Sequence, residues 1–205
     1  MRLRPGLRRA KELSRELSQA VERHEGNLGH HRRVGFLVAT VAEALDLPDP
    51  ALLGEAAELH DLGKLAIPAN VLRKRGPLSA AERRLIDAHP RAGYDRLMQL
   101  ARATRSAAQE YWQIAATIAL RHHERYDGRG YPDGLAGEGI PLVARIVHVC
   151  DVYDALTSRR AYHEALSPTL AIRELMADAE SFDPEALRIL LDVGIPASFS
   201  LTSAD

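Results

Sequence analysis

Hydrophobic positions along most of this chain recur with the spacing of α-helices. The clearest series lies on one face of a helix and consists of Val34, Leu37, Val38, Val41 and Leu45. A capping residue followed by proline marks a helix start at Asp49-Pro50, Ser167-Pro168 and Asp183-Pro184. Nowhere do turn residues separate short runs of alternating polar and apolar positions, which is the pattern that predicts a β-sheet. The chain is therefore predicted to be all-α.

Further helices are predicted over residues 11–24, 79–98, 107–123 and 141–157. The second of these begins with a capping box formed by Ser79 and Glu82, and Pro90 is expected to interrupt it. With 205 residues, 46% of them hydrophobic, the chain is long enough to bury one core without disulfides or a structural metal. We therefore expect one principal domain.

One segment departs from the helical pattern. Residues 127–139 contain five glycines together with Pro132. A loop of this length inside a compact helical domain is uncommon unless it has a function. It lacks the lysine and the serine or threonine of a nucleotide-binding P-loop, so its glycines are expected to permit turns with positive φ.

The composition excludes several classes of protein. The one cysteine, Cys150, cannot form an intrachain disulfide, which favours a reducing compartment and a cytoplasmic location. The most apolar stretch, residues 34–47, is shorter than the ~18 residues of a membrane span and is interrupted by Glu43 and Asp46. A formal net charge of -1 gives no reason to expect binding to polymeric nucleic acid.

The order of the histidines and aspartates along the chain suggests metal chemistry. The candidate ligands are, in chain order, His30, His60, Asp61, His89, His122, His123, Asp151 and Asp154. Imidazole and carboxylate ligands suit divalent Mn, Fe or Zn, and the lack of a cysteine cluster argues against a structural zinc site. A single histidine on a helix is better explained as a surface residue or a satisfied core residue than as a metal ligand, and this is the interpretation for His24, His148 and His163.

The spacing of these residues favours two neighbouring ions over one. Adjacent positions on a helix point about 100° apart, so His122 and His123 cannot easily bind the same ion but could each serve one of two neighbouring ions. Asp61 has two carboxylate oxygens and could bridge such a pair. Lys64 follows this aspartate closely and is one of only three lysines among 27 basic residues. A lysine in a chain that otherwise uses arginine suggests a site that needs a compact point charge.

Longer segments around these residues resemble the signature of HD-GYP domains, a branch of the HD metal-dependent phosphohydrolases. The resemblance is carried by residues 60–64 (HDLGK), 122–132 (HHERYDGRGYP), 137–142 (GEGIPL), 144–146 (ARI), 151–157 (DVYDALT), 160–162 (RAY) and 182–184 (FDP). It covers about residues 30–193. We accordingly divide the chain into an N-terminal basic helix (1–26), an HD-GYP domain (27–195) and a C-terminal tail (196–205), and expect a stand-alone domain.

The resemblance implies an all-helical HD bundle in which the glycine-rich GYP loop lies beside a site for two or three ions, usually iron or manganese. Carried over by position, the implied metal ligands are His60, Asp61, His89, His122, His123, Asp151 and His30, with Asp61 bridging the ions. Members with three ions place a glutamate one helical turn before the first histidine, and here that position is Gly26. Because glycine has no side chain to donate, we expect two divalent ions, iron or manganese.

The activity implied by the resemblance is hydrolysis of cyclic di-GMP to linear pGpG, to GMP, or to both, by a hydroxide that bridges the two metals. Asp61 and Lys64 are the expected catalytic residues, and Lys64 would be an electrostatic partner of the phosphoryl oxygens. The expected substrate contacts are Arg160, Lys64, Asp154 and Tyr131. Asp154 is also a candidate for orienting a ligand or holding Lys64. His163 stands where some members have a lysine that contacts the dinucleotide.

Two other functions stay open. HD chemistry recognises phosphate more than base, so another cyclic dinucleotide or a nucleotide phosphoester is a second candidate substrate. The rival from a different class is a non-catalytic or weakly active sensor or adaptor, which binds a cyclic dinucleotide or a diguanylate cyclase (GGDEF-type) partner through the GYP loop and the basic N-terminus. The expected partners are thus cyclic di-GMP and signalling proteins of this kind, with no membrane and no polymeric nucleic acid among them.

Overall fold

The computed structural model describes residues 5–158 and 165–193, and all regular structure within them is helical. The α-helices are α1 (Pro5–Glu25), α2 (His30–Ala44), α3 (Pro50–Ala57), α4 (Ala69–Leu72), α5 (Ala80–Asp87), α6 (His89–Ala103), α7 (Ala107–Arg121), α8 (Leu142–Thr157), α9 (Pro168–Ala177) and α10 (Pro184–Asp192). Short 3-10 helices lie at Leu62–Ala66, Gly137–Gly139 and Ala179–Ser181. The all-α prediction is confirmed for these residues, whereas Arg160, His163 and the predicted tail 196–205 lie outside them.

The predicted helix starts are confirmed, because the expected side chains cap backbone amides. The side chains that accept a hydrogen bond from a first-turn amide at the start of α3, α9 and α10 are Asp49, Ser167 and Asp183. Ser79 and Glu82 form a reciprocal capping box at the start of α5. The helix is interrupted as expected near Pro90, but the break lies at residue 88, because α5 ends at Asp87 and α6 begins at His89. Pro90 thus lies in the first turn of α6, where its missing N–H is not needed.

Helix α7 lies at the centre of the core and packs against α1, α3, α6 and α8. Its residues Tyr111, Trp112 and Ile118 are almost completely buried. Close packing of this kind leaves a helix little freedom to shift. The core therefore fixes the C-terminal end of α7, and His122 and His123 follow directly after that end.

The N-terminal helix α1 is held by a polar face rather than by apolar side chains alone. The buried polar residues on this face are Lys11, Ser14, Ser18 and Glu22. Tyr111 of α7 donates a hydrogen bond of 2.6 Å to the Ser14 hydroxyl. Over residues 5–158 and 165–193, no helix combines the length and the apolar character that crossing a bilayer requires.

Close backbone packing at Gly63 joins the turn after α3 to the start of α6. A Cβ atom at this position would lie 1.9 Å from the carbonyl oxygen of His89 and 2.6 Å from the backbone nitrogen of Gly93. A residue with a side chain does not fit at such a distance. The absence of a side chain therefore lets Asp61 and His89, which are distant in sequence, become neighbours.

Candidate metal centre

The candidate ligands surround one pocket. The pocket is formed by the N-terminal ends of α2 and α6, the turns that follow α3 and α7, and one face of α8. The N-terminal ends of α2 and α6 contribute His30 and His89. The turns after α3 and α7 contribute His60 with Asp61 and His122 with His123, and α8 contributes Asp151. All of them except His123 and Asp151 are at most 2% exposed. Side chains from across the sequence therefore share one buried volume.

The carboxylate of Asp61 lies between two groups of imidazoles. Its Oδ1 atom is 3.2 Å from Nε2 of His89 and 3.6 Å from Nε2 of His122. Its Oδ2 atom is 3.2 Å from Nε2 of His60 and 4.0 Å from Nε2 of His30. Because the two oxygens face different groups, this single carboxylate can serve two cations at once.

Asp151 completes the second of these groups. Its Oδ1 atom is 3.3 Å from Nε2 of His30 and 4.0 Å from Nε2 of His60. It thus faces the same two imidazoles as Oδ2 of Asp61, from the side of α8. The two carboxylates bring negative charge to a buried position, where it requires a positive partner.

The imidazoles are oriented by hydrogen bonds at their outer nitrogen atoms. In His60, His89 and His122, Nδ1 lies 2.6–3.1 Å from the carbonyl oxygen three residues earlier. In His30, Nδ1 lies 2.7 Å from Oδ2 of Asp154. An oxygen of this kind accepts, so Nδ1 donates its proton and Nε2 points into the pocket. Histidines that bind metals are held in the same way.

The residues present fit divalent metal ions. Nε2 of His60 and Oδ1 of Asp61 are buried without a hydrogen-bond partner among the described residues, an arrangement that is costly unless another ligand uses them. Two sets of donor atoms, each within 4.8 Å of one another, share Asp61. They consist of His30, His31, His60 and Asp61, and of Asp61, His89, His122 and His123. His122 and His123 thus fall into one set, in contrast to the expectation that they serve different ions, because His123 follows the end of α7 and its ring centroid lies only 4.0 Å from that of His122. Nitrogen and oxygen donors in such sets suit first-row divalent ions.

The electrostatics of the two groups differ. Burial would raise the pKa of Asp61, but the charges of Lys64 and His60 outweigh burial and hold that pKa well below its usual value. Burial would lower the pKa of His60, yet the charge of Asp61 raises it to about 9. Burial lowers the pKa of His122 to about 4 and lowers the pKa of His123 strongly. His122 and His123 are therefore neutral near pH 7, which is the form of imidazole that binds a metal.

Lys64 lies at the edge of the pocket between two carboxylates. Its Nζ atom is 2.5 Å from Oδ2 of Asp61 and 3.0 Å from Oε2 of Glu25. Burial would lower the pKa of Lys64, but the charges of Asp61 and Glu25 raise it above its usual value. The ammonium group therefore stays protonated, and it can stabilise negative charge at the pocket but is a poor proton donor.

Asp154 is occupied by neighbours within the protein. Its Oδ2 atom accepts a hydrogen bond from Nδ1 of His30, and its Oδ1 atom lies 2.6 Å from Nε of Arg33. The hydroxyl of Ser158 donates a further bond of 3.2 Å to Oδ1. Of the roles considered for Asp154, this geometry favours orienting a ligand over holding Lys64 or contacting a substrate directly.

The glycine-rich loop lies beside the pocket, as predicted. Tyr131 stacks on His123, with ring centroids 4.7 Å apart, and its peptide bond to Pro132 is cis. The buried carboxylate of Glu124 accepts hydrogen bonds from the backbone amides of Asp133 and Leu135. Tyr131 is half-buried and therefore borders the pocket while it supports the ring of His123.

A second anchor ties the loop to the end of α9. The guanidinium of Arg125 donates to Asp127 at 2.7 Å and to Asp178, the residue after α9, at 2.9 Å. The Arg125 contact lowers the pKa of Asp127 to about 2. Ion pairs near the surface therefore order this segment.

Two residues of the pocket, Glu25 and His31, are missing from the predicted ligands. The motif comparison places the expected glutamate one turn before His30, at Gly26, where no side chain exists. Gly26 and Gly29 adopt φ angles of 83° and 80°, so the chain turns sharply between α1 and α2 and Glu25 reaches Lys64. The available signals in the sequence were an acidic residue directly before a glycine-rich turn and a second histidine directly after the first.

A family model described as HD domain matches residues 15–186 of this chain. The chain is similar to the cyclic di-GMP phosphodiesterase response regulator RpfG of Xanthomonas campestris, at 43% identity over 89% of this chain and 48% of that protein. It is similar to a cyclic di-GMP phosphodiesterase of Pseudomonas aeruginosa at 40% identity, over 81% of this chain and 39% of that protein. It is also similar to the 3'3'-cGAMP-specific phosphodiesterase 2 of Vibrio cholerae at 35% identity, over 89% of this chain and 34% of that protein. The chain thus spans about half the length, or less, of these curated relatives.

Solved structures share the fold. A cyclic GMP-AMP-specific phosphodiesterase of V. cholerae superposes with a TM-score of 0.65 at 22% identity, over 89% of this chain and 48% of that one. The HD domain of the phosphodiesterase PgpH of L. monocytogenes, in complex with cyclic di-AMP, superposes with a TM-score of 0.57 at 17% identity. That comparison covers 86% of this chain and 92% of the other.

Proposed function

This chain belongs to the HD domain family, and we propose that it is a metal-dependent phosphodiesterase that hydrolyses cyclic di-GMP. The observation that carries the proposal is the carboxylate of Asp61, which lies between two groups of buried imidazoles whose Nε2 atoms face inward. Arrangements of this kind hold a pair of cations around a phosphate. The named relatives support the substrate class, because they act on cyclic dinucleotides.

We propose that the pocket holds two divalent ions, iron or manganese. One position is formed by His89, His122, His123 and Asp61, and the other by His30, His60, Asp151 and the same Asp61. Bound there, the ions would supply Lewis-acid polarisation of the phosphodiester and lower the pKa of water. Imidazole and carboxylate donors without thiolates are compatible with both metals, so metal analysis of the purified protein decides between iron and manganese.

The side chains around the ions position the phosphodiester and balance its charge. Lys64 places a permanent positive charge next to Asp61, where charge develops on the phosphoryl oxygens. In the reaction, water adds to phosphorus, the bond from phosphorus to a ribose oxygen breaks, and that oxygen leaves with a proton. One such step opens the ring to pGpG, and a second would give GMP.

Tyr131 and Arg160 are proposed to contact the dinucleotide. Tyr131 borders the pocket and stacks on His123, so its exposed edge can receive a base or sugar. Arg160 lies outside the described residues, and its proposed role rests on the motif alone. Through the exposed parts of the same loop, we propose contacts with GGDEF-type or other signalling proteins. A cytoplasmic location is part of the same proposal and rests on the single cysteine.

A second substrate, 3'3'-cGAMP, is favoured by specific observations. Relatives with this specificity match the chain at 35% identity, and a cyclic GMP-AMP-specific enzyme shares the fold. Both dinucleotides present a guanosine next to a 3'–5' phosphodiester, so the same metal pair can act on either. The higher identity to cyclic di-GMP enzymes makes cyclic di-GMP the first choice.

The test is turnover by protein purified without oxygen and reconstituted with Mn(II) or Fe(II). Chromatography would follow cyclic di-GMP, pGpG and GMP, with 3'3'-cGAMP as the competing substrate. We expect hydrolysis of cyclic di-GMP with a higher kcat/KM than that of 3'3'-cGAMP. Loaded protein that binds cyclic di-GMP without cleaving it would contradict the proposal and favour the sensor or adaptor function.

A further inference from the structure

A second histidine, outside the ligand set that the family resemblance implies, faces the same pocket. His31 is completely buried, and its ring centroid lies 5.1 Å from that of His60 and 5.3 Å from that of His30. Its Nε2 atom is buried without a hydrogen-bond partner among the described residues. Its donor atom lies within 4.8 Å of those of His30, His60 and Asp61. We propose that His31 is an additional ligand of the cation on the His60 side, and that Ser18 of α1 positions it.

The hydrogen bond at the other ring nitrogen supports this assignment. Nδ1 of His31 lies 3.1 Å from the hydroxyl oxygen of Ser18, and both residues are buried. In His122, the same nitrogen donates to a backbone carbonyl, which leaves Nε2 with its lone pair. When Ser18 accepts from Nδ1, His31 has the same tautomer and presents Nε2 to the pocket.

The backbone of His31 is fixed to α1 as well. Its amide donates a hydrogen bond of 2.9 Å to Oε1 of Glu22, which is buried. One helical turn later, Oε1 of Glu25 lies 3.4 Å from Nε2 of His31 and has no hydrogen-bond partner among the described residues. This carboxylate adds negative charge beside the proposed cation. Side chains of α1 thus hold His31 at its ring, its backbone and the side that faces the pocket.

The consequence is that α1 forms part of the metal centre. Ser18, Glu22 and Glu25 lie four and three residues apart, which places them on one face of the helix. The same face continues to Ser14, whose hydroxyl binds Tyr111 in the core. A displacement of α1 would therefore move Ser18 away from His31 and weaken the binding of the cation on the His60 side. Among the described residues, no hydrogen bond joins His89 or His122 of the other position to α1.

The test measures metal binding rather than turnover. Metal-free protein is titrated with Mn(II), and free Mn(II) is followed by electron paramagnetic resonance. Removing the proposed ligand in His31→Asn should weaken one of two binding events at least about 100-fold and leave the other unchanged, and Ser18→Ala should weaken the same event about 10-fold. Ser18→Thr keeps the hydroxyl and should bind this ion with the affinity of the unmodified protein. The matched control is His24→Asn, because Nε2 of His24 lies 2.7 Å from the carbonyl oxygen of Ile67 and not in the pocket.

The outcomes separate this inference from the proposed function, on which it rests. If the unmodified protein binds two ions and hydrolyses cyclic di-GMP, and folded His31→Asn binds both ions with unchanged affinity, the inference alone is wrong. If the unmodified protein binds no divalent ion, the proposed function fails too. Circular dichroism reports folding of each variant. Should His31→Asn not fold, an unchanged affinity in Ser18→Ala contradicts the role of α1, and a selective loss that Ser18→Thr reverses supports it.

Discussion

The two sides of Asp61 are built in different ways. On one side, His89 and His122 are each held by a carbonyl oxygen three residues earlier on the chain. On the other side, His60 is held in the same local way, but His30 is held by Asp154, which lies 124 residues away, and His31 by Ser18 on another helix. The imidazoles of the first side are thus oriented by local backbone geometry, and the second side depends in addition on how α1, α2 and α8 pack. We therefore expect the second side to respond to substitutions far from the ions and the first side to resist them.

The largest effect should come from the one side chain that both sides share. Asp61→Asn removes the negative charge that both positions share and replaces one of the two oxygens by an NH2 group, so we expect kcat for cyclic di-GMP to fall by at least about 1,000-fold and binding of both ions to weaken. Turnover and metal analysis measure the two losses. The control is Asp192→Asn, an exposed aspartate paired with Arg188, which should change neither. Unchanged affinity for either ion in Asp61→Asn would contradict the sharing of this carboxylate between the two positions.

The close contact at Gly63 joins the two sides, and filling it should destabilise the whole domain. In Gly63→Ala the new Cβ atom would overlap the carbonyl oxygen of His89, so we expect the free energy of unfolding to fall by about 3 kcal/mol. Urea unfolding measures the change. Gly139→Ala is the matched control, because no atom lies within 4 Å of the Cβ position there, and it should change stability by less than about 0.5 kcal/mol. Similar stabilities for both variants would show that the contact is not tight.

A substitution on the side that distant residues support should weaken the binding of one ion and leave the binding of the other unchanged. In Asp154→Asn the acceptor for Nδ1 of His30 and the ion pair with Arg33 are weakened, so we expect one Mn(II) ion to bind about 10–100-fold more weakly and the other to bind unchanged. Calorimetric titration with Mn(II) resolves the two events. Ser158→Ala removes only a hydroxyl that donates to Asp154 and serves as the control. If both ions bind more weakly by the same factor, the two sides of Asp61 do not differ in how distant residues support them.

The smallest effect concerns the glycine-rich loop, whose Tyr131 stacks on His123 on the side of Asp61 that faces His89 and His122. Arg125 lowers the pKa of Asp127 from an ordinary value near 4 to about 2, so this pair stabilises the fold above pH 4 and loses that contribution as the pH falls towards 2. Asp127→Asn should reduce the free energy of unfolding at pH 7 by less than about 1 kcal/mol. Urea unfolding of both proteins at pH 7 and at pH 3 tests this, since the difference between them should shrink in acid. A difference that grows in acid would have the wrong sign.

The same contrast explains how much the sequence could predict. Helix starts at Asp49, Ser167 and Asp183 depend on hydrogen bonds within one turn, so their residue types were sufficient. The motifs identified residues that the structure brings to one pocket. His31 and Glu25 were not predicted to lie there, because their position depends on the turn at Gly26 and on the packing of α1. Long-range geometry of this kind has no periodic signal in a single sequence.

The most direct test of the central claim is the electron paramagnetic resonance spectrum of protein loaded with two Mn(II) ions per chain. A carboxylate shared between the two positions holds the ions close enough to couple magnetically, so we predict a coupled spectrum in the unmodified protein and its loss in Asp61→Asn. A spectrum of two isolated Mn(II) ions, or saturation at one ion per chain, would contradict the account.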